Sequence, residues 1–304
     1  MIHKTSKIWM DGEFVDWDKA QVHVLTHSLH YGLGVFEGIR CYETGKGPAI
    51  FRLKEHVERL FSSAHIFLLE IPFSRQEIEQ AIIDTIRVNG VKECYIRPLV
   101  YIGDGAMGLY PRGNPTRVSI AAWPWGTYLG EDGITKGIRI KVSSFIRSHV
   151  NSNMARGKVS GYYVNSQLAR KEAISCGYDE ALLLDTEGYV SEGSGENIFL
   201  VRNGKLKTTP LTSILEGITR DSIMEMAVNE GIQVSEERFT RDEIYIAEEA
   251  FFTGTAAEVT PIREVDGRIV GDGKPGPVTK RLQSIFFDTV KGKNRNYESW
   301  LTYI

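Results

Sequence analysis

Apolar and polar positions along this chain recur with two different periods, and together they predict helices and strands in mixed order. Asp11-Gly12 lies between Ile8-Trp9-Met10 and Phe14-Val15, which predicts a two-residue hairpin. Leu53, Val57, Leu60, Phe61 and Ala64 recur every three or four residues and predict an amphipathic helix. Ile78, Ile82 and Ile86 predict a second helix, stopped by Gly90. Cys94 to Ile102 alternates like a strand, and Pro98 within it points to an edge or a bulge.

Breakers crowd residues 122–133, so a boundary is expected there: a first domain over 1–121, an interdomain loop over 122–134 and a second domain over 135–304. The loop carries Trp123, Trp125 and Tyr128, too many aromatics for a floppy linker. Beyond it the pattern predicts a strand over Ile138 to Val142 and a helix from Gly161 to Ser175. Hairpins turning at Gly188 and Asn203-Gly204 follow, then a helix from Thr219 to Glu230 with Thr219 as its N-cap. Phe251-Phe252 reads as a strand, Asp266-Gly267 as a hairpin turn, and Val278, Leu282, Ile285 and Phe286 as a last helix. Hairpins and segregated helices without steady βαβ alternation predict an α+β fold in both domains.

Composition narrows the chemistry. Net charge is −3 over 304 residues, too little to hold a polyanion or an acidic membrane. Three scattered cysteines argue against a disulfide framework or a zinc ribbon and fit a reducing compartment. With no apolar leader and no uncharged run of about 18 residues, a cytoplasmic protein is expected. Gly32-Leu-Gly-Val-Phe-Glu37 and Gly193-Ser-Gly-Glu-Asn-Ile198 each lack the third glycine of a dinucleotide loop, and no GxxxxGK[ST] occurs. His23, His27 and His30 have helical spacing, but His23 falls in a strand-like stretch and no acid joins them. Structural hydrogen bonding is preferred to a metal site.

Several short stretches remain ambiguous one at a time. Gly217 and the amides of Ile218 and Thr219 form either an anion cradle or a plain helix start. Thr253-Gly-Thr-Ala-Ala257 ends a strand in small residues that let a ligand approach the backbone. Tyr95 and Arg97 share one face of a strand, where a buried arginine needs an anion. Spacing alone does not single out Lys158, and acids in a glycine-rich turn such as Glu192 and Glu196 ordinarily face water.

Taken in order, however, Tyr31-Gly-Leu-Gly-Val-Phe-Glu-Gly-Ile-Arg40, Tyr95-Ile-Arg-Pro98, Lys158 with Tyr163, Ser191-Glu-Gly-Ser-Gly-Glu-Asn197, Gly217-Ile-Thr-Arg220 and Gly254-Thr-Ala-Ala-Glu258 form one pattern. Over nearly its whole length the chain resembles the class IV, fold-type IV pyridoxal-phosphate aminotransferases, specifically the branched-chain amino acid aminotransferases. The resemblance implies a smaller N-terminal α+β domain and a larger C-terminal α+β, pseudo-barrel domain. It implies that Lys158 carries pyridoxal 5′-phosphate as a Schiff base and that Glu192 pairs with the pyridine nitrogen. Tyr163, or alternatively Tyr162, would meet O3′, and Leu215 would pack on the ring. Arg59, Gly217, the amides of Ile218 and Thr219, and Thr255 would hold the phosphate.

For substrate, the resemblance implies Tyr95 with the Thr255 and Ala256 amides at the α-carboxylate. Phe36, Gly38, Trp125, Tyr128, Tyr163 and Ala257 would form an apolar pocket. Arg97, with Tyr31 of a neighbouring subunit, would meet the distal carboxylate of glutamate, in a homodimer or an assembly of dimers. The implied reaction moves the amino group of Leu, Ile or Val to 2-oxoglutarate by a ping-pong route. Alternatives are a D-amino acid aminotransferase, an aminodeoxychorismate lyase, or a protein that keeps the cofactor only as a ligand. The D-specific activity would come with an Arg-x-His pair, whereas Arg97 here precedes Pro98-Leu99.

Overall fold

The computed structural model describes residues 2–304. They divide into two compact units. The first runs to residue 125 and adds 157–162 and 289–304; the second takes 126–156 with 163–288. The final residues, expected with the second domain, thus belong to the first unit.

The first unit contains β1 (Lys7–Met10), β2 (Glu13–Asp16), α1 (His27–Tyr31), β3 (Gly34–Phe36), β4 (Ile39–Thr44), β5 (Gly47–Phe51), α2 (Leu53–Ile66), α3 (Arg75–Asn89), β6 (Cys94–Ile102) and β7 (Thr116–Trp123). The strand at Leu301–Tyr303, β17 in chain order, pairs antiparallel with β5 and forms one end of the sheet. Leu53, Val57, Leu60 and Ala64 of α2 and Ile78, Ile82 and Ile86 of α3 pack into one buried cluster with Ile39, Ile96 and Val118. The predicted periodicity is therefore the core-facing stripe of both helices. Ser74 and Glu77 close a capping box on α3, and Gly90 ends it at φ 61°.

Strand β6 is central, which corrects the expectation from Pro98. β7 lies along one side of β6 throughout, while β4 covers 94–96 and β3 covers 99–101 on the other. The Pro98 carbonyl accepts from Glu37 N at 2.9 Å, in the gap between β3 and β4. A strand residue's N and O point to the same side, so the missing N–H falls where the partner strand is broken.

The second unit contains α4 (Glu131–Lys136), β8 (Ile138–Val142), α5 (Tyr163–Ser175), β9 (Glu180–Leu184), β10 (Val190–Gly193), β11 (Asn197–Arg202), β12 (Lys205–Thr208), α6 (Ile218–Asn229), β13 (Val234–Glu236), α7 (Arg241–Tyr245), β14 (Glu249–Gly254), β15 (Glu258–Val265), β16 (Arg268–Ile269) and α8 (Pro277–Val290). Its sheet runs β10-β9-β8-β15-β14-β11-β12-β13, with β16 on β15. Three of its pairs are parallel, β8 with β9, β8 with β15 and β12 with β13; the rest are antiparallel. Ile198, Leu200, Phe252 and Ile262 lie at its centre. Both units are α+β. Among the described residues no helix is long and apolar enough to cross a membrane.

Two smaller expectations are revised. Gly217, not Thr219, is the N-cap of α6, and Thr219 lies buried inside the first turn. Residues 22–24 are irregular rather than strand, while His27 and His30 belong to α1. His27 and His30 bond the carbonyls of Gly108 and Val24 through Nε2, and His23 Nδ1 accepts from Leu25 N.

Candidate functional site

In the first unit the sequence-predicted residues gather around the break between β3 and β4. Glu37 sits there with no exposure. Arg59 of α2 donates to it twice, Nε to Oε1 at 2.7 Å and Nη2 to Oε2 at 2.9 Å. His56, one helical turn earlier, meets Oε2 through Nδ1 at 2.7 Å. Burial alone would raise the Glu37 carboxyl. The Arg59 charge and the His56 hydrogen bond outweigh it and hold the group well below the usual carboxylate range. Burial pushes His56 down, so a neutral ring donating from Nδ1 is the tautomer that suits its carboxylate neighbour. A buried bidentate pair of this kind fixes the plane of the Arg59 guanidinium.

Lys158 is half-buried and anchored on both sides of its backbone. Its N–H donates to Ser63 Oγ of α2 at 3.0 Å, and its carbonyl accepts from Phe36 N at 3.1 Å. The ammonium lies 5.0 Å from the Phe36 ring centroid. Arg97 extends over the same ring at 4.7 Å. Its Nη2 donates to Tyr95 Oη at 3.4 Å, while its Nε is buried without a hydrogen-bond partner. Trp125 packs edge-on against Tyr95 at 4.7 Å. Gly38 is obligatory beside them, since a Cβ there would stand 1.9 Å from Tyr95 Oη. Tyr31 stands apart on α1, 43% exposed, its hydroxyl accepting from Gly108 N at 3.2 Å.

The second unit gathers the rest. The β9–β10 pairing slips between Val190 and Glu192, and this bulge re-aims Glu192 relative to Val190. Glu192 is 8% exposed, contrary to the expectation that acids in such a turn face water. Its Oε2 accepts from Leu215 N at 3.1 Å and Asn197 Nδ2 at 3.3 Å, and its Oε1 lies 3.1 Å from Arg147 Nε. Asn197 also donates to the Leu215 carbonyl at 3.0 Å, tying the segment that leads into α6 to the carboxylate. A Cβ on Gly217 would lie 1.9 Å from Asn197 Oδ1. No side chain caps α6, so the amides of Ile218 and Thr219 open its positive end. Thr255, Ala256 and Ala257 form the turn between β14 and β15. Tyr128 lies under the Arg170 guanidinium at 4.4 Å, and Tyr163 begins α5.

Sequence reasoning missed four supporting residues. Glu37 stood within a quoted motif without a role, although an acid in an otherwise apolar stretch is itself a signal. His56 lies three residues before Arg59 on a predicted helix, a spacing that puts them on one face. Asn197 closes the Ser191–Asn197 block. Arg147 lies in an irregular loop and carried no periodic signal.

Residues 34–265 match the family model for amino-transferase class IV. A branched-chain-amino-acid aminotransferase of Pseudomonas aeruginosa is 54% identical over 304 residues, covering 100% of this chain and 99% of the relative. The crystal structure of a branched-chain amino acid aminotransferase from T.th. with pyridoxamine 5′-phosphate matches with a TM-score of 0.96 and 52% identity, over 99% of each chain. That of the Escherichia coli branched-chain amino acid aminotransferase matches at 0.96 and 48%, over 98% of this chain and 99% of the other. Motifs, fold and full-length likeness agree, and the chain belongs to the class IV aminotransferases, within the branched-chain amino acid aminotransferases.

Proposed function

We propose that this protein is a branched-chain L-amino acid transaminase that uses pyridoxal 5′-phosphate to pass the amino group of Leu, Ile or Val to 2-oxoglutarate. The observation that carries the reading is Arg97. A buried guanidinium nitrogen without a partner sits beside a tyrosine hydroxyl and over a phenyl ring. Such a group suits a substrate that is apolar in one half-reaction and carries a distal carboxylate in the other.

The donor set fits the cofactor. An uncapped helix start suits a phosphate, and the side chain Gly217 lacks would crowd the approach to it. A buried carboxylate suits a protonated ring nitrogen, and a half-buried lysine suits an aldehyde. When bound, pyridoxal phosphate supplies the electron sink for the pair left at the substrate Cα. Lys158 holds the cofactor and then carries the proton to and from that carbon. Glu192 keeps the ring nitrogen protonated. Tyr163 takes O3′ in preference to Tyr162, whose ring packs edge-on against Phe67 at 5.8 Å within the first unit. Arg59, the Ile218 and Thr219 amides and Thr255 hold the phosphate, with Leu215 against the ring. Tyr95 and the Thr255 and Ala256 amides receive the α-carboxylate. Phe36, Gly38, Trp125, Tyr128, Tyr163 and Ala257 line the apolar pocket, which discriminates among branched chains by about 1–3 kcal/mol per methylene at most.

The same reading makes the protein a cytoplasmic homo-oligomer in which Tyr31 of a neighbouring subunit joins Arg97. Exposed Leu29 and Leu109, at 64% and 91%, support a face that another copy covers. Three cysteines in no paired spacing support a reducing compartment. A panel of L- and D-amino acids against 2-oxoglutarate tests the reaction: turnover led by L-Leu, L-Ile and L-Val is expected. Turnover led by D-alanine, or pyruvate release from aminodeoxychorismate, would replace it.

A further inference from the structure

Arg147 is 8% exposed; its side-chain hydrogen bonds fall on the residues after Glu192 and on α5, and its charge also reaches the buried Glu180 and Glu196. Its Nη2 donates to the Gly193 carbonyl at 2.7 Å and the Ser194 carbonyl at 3.4 Å. Its Nη1 donates to Ser166 Oγ at 2.9 Å and Asn165 Oδ1 at 3.4 Å. Its Nε stands 3.1 Å from Glu192 Oε1, an ion-pair distance whose angle is not that of a hydrogen bond. The backbone is pinned as well, with Arg147 N donating to the Leu184 carbonyl at 2.8 Å.

These contacts exceed what burying an arginine requires. Asn197 Nδ2 and Leu215 N, which also donate to Glu192, are neutral. They orient the carboxylate, and the guanidinium adds charge. A cation this close favours the ionised form of a carboxylate. The two carbonyl contacts also fix the residues that follow Glu192, so that the carboxylate cannot swing with its turn.

We infer that Arg147 is a positioning residue for the reaction: it fixes the end of β10 and sets a positive charge against the Glu192 carboxylate, so that the proton this group shares with the cofactor ring stays on the ring nitrogen. This rests on the assignment of Glu192 to that nitrogen.

The test uses holoenzyme loaded with pyridoxal phosphate labelled with 15N at the ring. In Arg147→Met the ring-nitrogen signal should move toward that of a neutral pyridine. The half-reaction with L-leucine should slow about ten- to hundredfold, the usual loss when an outer partner of a bound group is removed. The ratio of affinities for pyridoxal phosphate and pyridoxal should stay at the wild-type value, because the phosphate contacts are untouched. Arg147→Lys, which keeps the charge but not the fork, should return the signal most of the way. Arg147→Gln keeps a donor for the Gly193 carbonyl without the charge, and stands in should the Met variant not fold. A wild-type ring signal in a folded, charge-neutral variant overturns the inference. Glu192→Gln separates the two levels: if it leaves the signal unmoved, the assignment of Glu192 fails. If it moves the signal and the Arg147 variants do not, only the role of Arg147 fails.

Discussion

The two units bring different kinds of chemistry. In the proposed reading the first works through long charged side chains: Lys158 on a short segment tied to α2 and β3, Arg59 on α2, and Arg97 on β6. In the same reading the second works through backbone and small residues, the uncapped start of α6 and the Thr255–Ala257 turn, with one carboxylate that accepts from Leu215 N. A side chain is lost by truncating it. A backbone cradle is lost by adding an atom. The two halves should therefore fail to opposite kinds of substitution.

The largest effect belongs to the first unit. Lys158→Ala should abolish the absorbance of covalently held cofactor and nearly all turnover, and borohydride reduction with peptide mapping should place the label of the wild-type protein at Lys158. Retained turnover, or a label elsewhere, would remove the lysine from its role. Arg97→Leu comes next. Charge-assisted hydrogen bonds contribute about 1.5–3 kcal/mol each, so kcat/KM for L-glutamate should fall about ten- to 150-fold, with a far smaller loss for L-leucine. Equal losses would sink the two-substrate account of this residue.

The second unit should answer to a single methyl group. Gly217 has ordinary backbone angles, φ −75° and ψ 128°, so alanine there costs nothing in conformation and everything in its contact with Asn197. Gly217→Ala should weaken cofactor binding, measured by titrating apoenzyme with pyridoxal phosphate, by about tenfold or more, the scale of a displaced supporting residue. An unchanged affinity would show that Asn197 yields freely.

The smallest effect is one of stability. Burial, and then the nearby Glu180 carboxylate, push Glu196 up to about 8. A carboxyl raised in the folded state binds its proton more tightly there than in the unfolded chain. Its contribution is full below the unfolded value, near 4.5, and is lost as pH rises through about 8. Relative to Glu196→Gln, the wild-type melting temperature should therefore decline between about pH 5 and pH 8 and then run parallel. A difference that does not change with pH would mean that Glu196 is ionised throughout.

Helices with one apolar stripe were legible in the sequence, because burial of Leu53, Val57 and Leu60 or of Ile78 and Ile82 is what their spacing encodes. Hairpins were legible from Asp11-Gly12 and Asn203-Gly204, whose first residues take the positive φ that such turns need. The central place of β6 was not, since a proline rule written for unbroken neighbours does not foresee a partner strand interrupted opposite Pro98. For the candidate site, the resemblance supplied the named residues, and spacing alone did not supply what surrounds them. Arg59 and Glu192 could be named, but the buried Glu37 and Arg147 that orient them depend on contacts between residues 22 and 45 positions apart.

The pairing of β17 with β5 bears on synthesis. β5 ends at Phe51, and the strand that covers it begins at Leu301, about 250 residues further on. At translation rates of about 5–20 residues per second, that edge stays bare on the nascent chain for roughly ten to fifty seconds. An open edge is a template for wrong partners. Until residue 301 is made, the β5 edge has only the rest of the nascent chain and other molecules to pair with.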